Sequence, residues 1–209
     1  MPIRTMLLPL LAGVAALLLT ACTPQGDVVL DDAPSAGESQ VEVAETVEAA
    51  EPVVELGEFN AEHDEFVVFD PCTEIPREVL DSVGLGEMVS EPFYSPMKSV
   101  TCSYPAASQG ARMELLTMAG DVVPKQRVRD LGFMISEDAN SEVPGVYVHH
   151  MGEGTENACT AAIHTTKGRW TVAYTSGRPI PSREDLCGEA IDYLEAIYFQ
   201  LGVQNGSTA

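Results

Sequence analysis

Residues 158–175, with the sequence ACTAAIHTTKGRWTVAYT, predict a β-hairpin. Ala158–Thr165 and Arg169–Thr175 are both rich in β-branched and aromatic residues, and the three residues between them, Thr166-Lys167-Gly168, are few enough for a hairpin connection. Side chains alternate between the two faces of a strand, so every second residue of the later strand shares one face. These residues are expected in the core: Trp170, Val172 and Tyr174.

Further strands and helices are predicted on both sides of this hairpin. The other strands are Lys98–Tyr104, Arg112–Met118 and Val146–Met151, with Gln109-Gly110 as the turn between the first two. The helices are Ile75–Gly84, Pro124–Phe133 and Ser182–Leu201. The order α-β-β-α-β-β-β-α predicts an α+β domain, an antiparallel sheet of about five strands with helices packed on one face.

The last helix has sequence signals for its start, its buried face and its end. Ser182 with Asp185 resembles a capping box in which Asp replaces Glu, and Gly202 is placed to end the helix. Its apolar residues follow the helical period: Leu186, Ala190, Tyr193, Leu194, Ile197 and Leu201.

The N-terminus predicts export and a lipid anchor. Met6–Leu19 is apolar, but its roughly 14 residues fall short of the ~20 that a membrane-spanning helix needs. It ends in Leu19-Thr20-Ala21-Cys22, which resembles a bacterial lipobox, so residues 1–21 are predicted to be a signal peptide and Cys22 the acylated first residue. The expected location is the extracytoplasmic side of the cell membrane, with lipid on Cys22 as the anchor. The alternative is an ordinary secretory signal that happens to end in Cys.

An acidic segment follows the predicted anchor. Of the formal net charge of −21, thirteen negative charges fall in residues 23–65, which contain no Lys or Arg. Residues 22–65 are therefore predicted to be the lipidated cysteine and a disordered acidic tether, and residues 66–209 the folded domain. A docking tail for a basic partner, or a weak cation trap, is the alternative role of the acidic run. The acidic balance argues against nucleic-acid binding.

The remaining cysteines predict a disulfide framework. With Cys22 assigned to the lipid, four are left in an exported domain: Cys72, Cys102, Cys159 and Cys187. Three connectivities are possible, and Cys72–Cys102 with Cys159–Cys187 is favoured because each pair is near in sequence and joins neighbouring elements. No CxxC spacing supports a zinc ribbon or a thioredoxin-like redox site.

Several short fragments, in this order, together resemble the DUF3558 family of actinobacterial exported lipoproteins, whose function is uncharacterised. They are Asp70-Pro71-Cys72, Gly84-Leu85-Gly86, Cys102-Ser103-Tyr104, Cys159 and Leu186-Cys187-Gly188-Glu189-Ala190. The resemblance covers about residues 66–202 together with the lipoprotein signal, and Tyr104 departs from it where Trp is more common. It implies a cell-envelope location in a high-GC Gram-positive bacterium and supplies no catalytic residues.

No catalytic, metal or cofactor site is predicted. His149 and His150 point to opposite faces of a strand, so at most one of them can join His164, and exposed strand histidines are the simpler interpretation. No G-x-S-x-G elbow supports a Ser-His-Asp hydrolase, and Gly152-Glu153-Gly154 lacks the lysine and the helix of a phosphate-binding loop. Acid pairs such as Glu184-Asp185, and Glu153 with Glu156, are expected to be solvated charges.

The resulting hypothesis is a non-enzymatic, lipid-anchored module that binds an envelope protein, lipid or cell-wall component, in a cleft between sheet and helices whose residues the sequence does not identify. A hydrolase or transferase acting on envelope polymers is one alternative, and it predicts a cleft with a residue of perturbed pKa. A lipid carrier is the other, and it predicts an apolar cavity of several hundred Å³.

Overall fold

The computed structural model describes residues 53–106, 114–177 and 179–206, and an antiparallel sheet of seven strands forms their centre. The predicted signal, Cys22, the tether up to residue 52 and the Gln109-Gly110 turn lie outside these ranges. The helices are α1 (Arg77–Ser82), α2 (Lys125–Asp130) and α3 (Arg183–Gly206). The strands are β1 (Phe93–Ser95), β2 (Ser99–Pro105), β3 (Glu114–Asp121), β4 (Met134–Ser136), β5 (Tyr147–His149), β6 (Ala158–Thr165) and β7 (Gly168–Ser176), in the spatial order β1-β2-β3-β7-β6-β5-β4.

The α+β class and the antiparallel sheet are confirmed, whereas the predicted five strands and the exact order of elements are wrong. The two strands missed, β1 and β4, each have three residues and lie at the edges of the sheet. Neither is long enough for alternation to be visible: Pro92 and Pro96 flank β1, and the register of β4 shifts between Met134 and Ser136. Pairing creates these strands, of β1 with the longer β2 and of β4 with the equally short β5, and local sequence alone does not indicate them.

One face of the sheet packs against α3 and holds the main core. Trp170, fully buried, contacts Phe69 edge to face at a ring-centroid distance of 5.8 Å. The capping box is present, because the Ser182 hydroxyl accepts from the Asp185 amide at 3.1 Å while the Asp185 carboxylate accepts from Ser182. The buried side of α3 follows the predicted spacing: Leu186, Ala190, Leu194, Ile197 and Leu201. Within the described residues, no helix is both long enough and apolar enough to cross a membrane.

The prediction that the helices pack on one face is also wrong. Helix α1 contacts α3, and both lie with the main core. Helix α2 lies on the opposite face, where its Val128 is buried in a separate cluster with Tyr147 and Ala162. A six-residue helix has a single buried residue here, so its sequence pattern does not indicate which face of a sheet it covers.

The folded domain begins before residue 66, which corrects the predicted end of the tether. Val54 is buried in the main core, and Leu56 forms a β-bridge with Thr165. Two backbone hydrogen bonds extend this pairing, from the Thr166 amide to the Glu55 carbonyl at 2.9 Å and from the Gly57 amide to the His164 carbonyl at 3.3 Å. The acidic residues of this segment face solvent while its apolar residues reach the core, so its charge alone was misleading.

Two disulfides connect the sheet to its surroundings, and they are the two favoured pairs. Cys72–Cys102 joins the Asp70 turn to β2, with a Cα–Cα distance of 5.8 Å. The carboxylate of Asp70 accepts from the Cys72 amide at 2.9 Å, which holds this turn. Cys159–Cys187 joins β6 to the first turns of α3, with a Cα–Cα distance of 4.9 Å.

Candidate functional site

The face of the sheet covered by α2 is polar where β5, β6 and β7 adjoin. Residues that pair across antiparallel strands point to the same side of the sheet. His149 of β5 pairs with Thr160 of β6. Arg169 of β7 pairs with His164 of β6 on one side and with Asp121 of β3 on the other. Tyr147 lies on the same side, two residues before His149. We call these six residues the polar cluster: Asp121, Tyr147, His149, Thr160, His164 and Arg169.

The polar cluster contains most of the unsatisfied polar atoms of the interior. Six buried side-chain nitrogen or oxygen atoms have no hydrogen-bond partner among the described residues, and five of them belong to the cluster. They are Tyr147 Oη, His149 Nε2, Thr160 Oγ1, His164 Nε2 and Arg169 Nη1. Buried polar groups are normally hydrogen-bonded, so five such atoms on one sheet face indicate a place built to contact something polar.

An ion pair forms the charged end of the cluster. Arg169 donates from Nε to Asp121 Oδ1 at 2.9 Å and from Nη2 to Oδ2 at 2.6 Å, and the two side chains are only 8% and 13% exposed. Asp121 Oδ1 also accepts from the Val123 amide at 2.8 Å, which orients the carboxylate. The bidentate contact compensates both charges and leaves Nη1 of Arg169 directed elsewhere.

Tyr147 lies between the ion pair and helix α2. Lys125 of α2 places its ammonium 5.0 Å from the centre of the Tyr147 ring, and the same ammonium donates to the Glu137 carbonyl at 2.7 Å. Burial raises the pKa of Tyr147, an effect that the nearby Arg169 guanidinium partly offsets. The Tyr147 hydroxyl and the Arg169 guanidinium are close enough to interact as hydrogen-bonding neighbours, although Oη and Nη1 do not meet in a hydrogen bond of normal geometry.

The two histidines of the cluster are held in the neutral form by burial. Burial lowers the pKa of His149 to about 4, against a smaller opposite effect of its contact with the His150 carbonyl. His149 Nδ1 lies 3.0 Å from that carbonyl oxygen, which can only accept, so Nδ1 carries the proton and Nε2 is an acceptor. Burial also lowers the pKa of His164, with Glu58 opposing the shift.

A cavity of about 320 Å³ adjoins the cluster at Tyr147 and His164. Lys125 and the loop Pro144-Gly145 form part of its lining, and Leu56, Gly57 and Glu58 form another part. Next along this segment, the ring of Phe59 lies 5.3 Å from that of His164. The segment that the sequence assigned to a tether is therefore part of the candidate site.

The structure places the histidines considered in the sequence analysis in different surroundings. His149 shares one face with His164, in agreement with the prediction that at most one of His149 and His150 can join His164. His149 is buried, so its interpretation as an exposed strand histidine is wrong. His150 instead contacts Phe133 at a ring-centroid distance of 5.1 Å. Among the described residues, no group of three or more His, Cys, Asp or Glu is placed to hold a metal ion. Cys22 lies outside the described residues, so its lipidation stays a prediction.

Sequence reasoning missed Asp121, Tyr147, Thr160 and Arg169. One signal was present, because the polar Thr160 and His164 share one face of β6 whereas the apolar Ala161 and Ile163 share the other. Such alternation is ordinarily read as a solvent-facing side. The pattern does not indicate that α2 packs on this face and buries its polar side chains.

We expect Thr160→Val to raise the free energy of unfolding by about 1 kcal/mol. The replacement keeps the shape of the side chain and removes a buried hydroxyl that has no partner among the described residues, and leaving such a group unpaired costs roughly 1–3 kcal/mol. Thr101→Val is the matched control, since Thr101 lies on the same sheet face but is partly exposed, and it should change stability by less than ~0.5 kcal/mol. Urea unfolding measures both. A loss of stability in Thr160→Val would contradict the assignment.

Stability should fall as the pH drops through the window between the two pKa values of His149. The folded value is about 4 and the ordinary value 6.5, so between them the unfolded chain binds more protons. Stability is therefore highest above pH 6.5. It decreases as the pH falls toward 4, and the total loss is at most about 3 kcal/mol. Urea unfolding at several pH values should show a shallower pH dependence for His149→Gln over this window. Identical slopes for the two proteins would contradict the prediction.

A comparison with known proteins identifies one family. The family model described as "Protein of unknown function (DUF3558)" matches residues 17–198. No curated protein and no solved structure matches the chain.

Proposed function

This chain belongs to the DUF3558 family, a family of unknown function. We propose that it is a non-enzymatic, lipid-anchored envelope protein that binds a small polar component of the envelope. The binding site is the polar cluster together with the adjoining cavity. The protein acts outside the cytoplasmic membrane, held there by acyl chains on Cys22.

One observation carries the binding proposal. Five buried polar atoms without partners lie on one sheet face beside a cavity of about 320 Å³. That volume is at the lower end of the ~300–1,000 Å³ typical of ligand pockets, so the site suits a small molecule or one unit of a polymer. A polar group of the ligand would satisfy atoms that otherwise lower the stability of the fold.

The geometry favours binding over catalysis. The two histidines are neutral, and no hydrogen bond joins either of them to a nucleophile within the described residues. The one carboxylate of the cluster is engaged by Arg169 and by a backbone amide. These groups can recognise a ligand by hydrogen bonds. A general base would instead have to be unpaired and within hydrogen-bond reach of the proton that it removes.

The binding proposal is tested with the full chain, purified in detergent, by thermal unfolding in the presence of three classes of soluble envelope fragment. The classes are neutral saccharides, anionic saccharides and short peptides. A ligand that binds the folded state alone raises the unfolding temperature, because it stabilises that state by RT ln(1 + c/Kd), where c is the free ligand concentration. We expect one class to raise it for the natural chain and to have a smaller effect on Thr160→Val. If no class has an effect, the proposal fails.

We expect Cys22→Ser to release the protein from the membrane. Serine lacks the thiol that receives the lipid, and the acyl chains supply the binding energy, about 0.8 kcal/mol for each buried CH₂. Fractionation of cells that express each form should move most of the protein from the membrane to the soluble or secreted fraction. Cys72→Ser is a control, because that sulfur is in a disulfide and any folded protein should stay at the membrane. Full retention of Cys22→Ser would overturn the anchoring half of the proposal.

A further inference from the structure

We propose that the site takes a neutral, hydroxyl-rich ligand, a sugar or another polyol, and discriminates against charged relatives of the same molecule. This inference rests on the proposed function, because it names the ligand class of that same site. It follows from the charges around the polar cluster, from its hydrogen-bonding atoms and from the route by which they are reached.

The charges of the site are already balanced. Arg169 and Asp121 compensate each other through two hydrogen bonds, of 2.9 and 2.6 Å. At the cavity, Lys125 provides one positive charge and Glu58 one negative charge, with a carboxylate oxygen 4.0 Å from His164 Nδ1. A buried anion would have to lie beside Asp121, and a buried cation beside Arg169. Either would bring in a charge without a free partner, which is strongly unfavourable.

The atoms without partners include both donors and acceptors. Arg169 Nη1 can only donate, whereas His149 Nε2 accepts because its other nitrogen faces the His150 carbonyl. The hydroxyls of Tyr147 and Thr160 can do either. A ligand hydroxyl also donates and accepts, so a molecule with adjacent hydroxyls can satisfy this set, whereas a carboxylate or a phosphate accepts only.

The cavity provides the entrance. Tyr147 and His164 belong to both the cavity lining and the cluster, so a ligand that enters meets these two side chains first. Beyond them, Thr160 and His149 lie side by side on adjacent strands. Leu56, Gly57 and Glu58 form another part of the lining, and their segment is attached beside β6 by one β-bridge and two backbone hydrogen bonds. With so few backbone pairings, residues 56–58 can move aside for a ligand more easily than a fully paired strand can.

The experiment compares ligands that share one ring and differ in charge. Glucose and N-acetylglucosamine are the neutral probes, glucuronate the anionic one and glucosamine the cationic one. Each is titrated into the full chain in detergent, and the side-chain nitrogen signals of His149 and His164 are followed by NMR. We expect a neutral sugar to shift these signals at millimolar concentration, with an affinity at least tenfold greater than that for either charged sugar.

Variants assign the binding to this site. Thr160→Val should weaken binding of the neutral sugar by roughly tenfold, the value of one or two hydrogen bonds. Thr101→Val removes the same hydroxyl from the same face two strands beyond β7 and should leave the affinity unchanged. Equal losses in both variants would show that the sugar binds elsewhere and would overturn the inference.

The remaining outcomes separate this inference from the proposed function. Tighter binding of glucuronate or of glucosamine would overturn the neutral class and leave a polar binding site in place. If no sugar binds but a peptide raises the unfolding temperature in the broader screen, the ligand class is again wrong and the binding function stands. If nothing binds in either experiment, both fail.

Discussion

A variant in which all four paired cysteines are alanine is expected to lose roughly 7 kcal/mol of stability. The disulfides join residues 30 and 28 positions apart, and closing a loop of either length in the unfolded chain is worth roughly 3.5 kcal/mol in the chain-entropy model. The two loops do not overlap in sequence, so their contributions add. Domains of this size have about 5–15 kcal/mol in total, so a loss of roughly 7 kcal/mol removes about half or more of the stability and should lower the unfolding temperature steeply.

Variants that lack one disulfide separate the two contributions. Cys159→Ala with Cys187→Ala breaks the connection between β6 and α3, whereas Cys72→Ala with Cys102→Ala frees the turn that precedes α1. Both cysteines of the first pair are buried, whereas the second pair combines the buried Cys102 with the partly exposed Cys72. We therefore expect a cavity cost in addition to the loop term for the first pair and a smaller total for the second. Urea unfolding by circular dichroism measures both. A loss below ~1 kcal/mol for either pair would contradict the loop argument.

The elements that the sequence predicted well carry their signals locally. The start of α3 depends on Ser182 and Asp185, three residues apart, and the β6–β7 hairpin on a short connection between two apolar strands. In each case the residues that decide the structure are neighbours in the chain. The pairing that makes β1 and β4 into strands is supplied by partners elsewhere in the chain, β2 and β5, so no local pattern of three residues reveals it.

The candidate site depends on features that no local window contains. Asp121 and Arg169 are separated by 48 residues and meet because β3 pairs with β7 in a particular register. The alternation predicted that at most one of His149 and His150 can share a face with His164, but it did not indicate that this face is buried, because burial there depends on where α2 packs. The acidic N-terminal segment shows the same limit, since the contact of Val54 with the core and the bridge of Leu56 are long-range. Composition can indicate solvated residues, but it does not identify the few apolar ones that anchor a segment.

Asp121→Asn is expected to lower the free energy of unfolding by at least 3 kcal/mol. The amide keeps the size of the carboxylate and an oxygen for the Val123 amide, so the main change is the loss of charge beside Arg169. Arg169 cannot give up its proton, since its guanidinium is always charged in proteins, and it would remain buried without compensation. Removal of one partner from a buried pair typically costs about 3–5 kcal/mol.

The second substitution reverses the sign of the effect. Adding Arg169→Met to Asp121→Asn removes the uncompensated charge, so the double variant should be more stable than Asp121→Asn alone even though it carries two changes. Glu137→Gln is the matched control, because the Arg129–Glu137 pair has side chains 40% and 46% exposed. Exposed pairs contribute about 0–1 kcal/mol, and urea unfolding should show no larger loss there. If Asp121→Asn cost no more than Glu137→Gln, the Asp121–Arg169 pair would have to be solvated, and the neutral, desolvated site built around it would not exist.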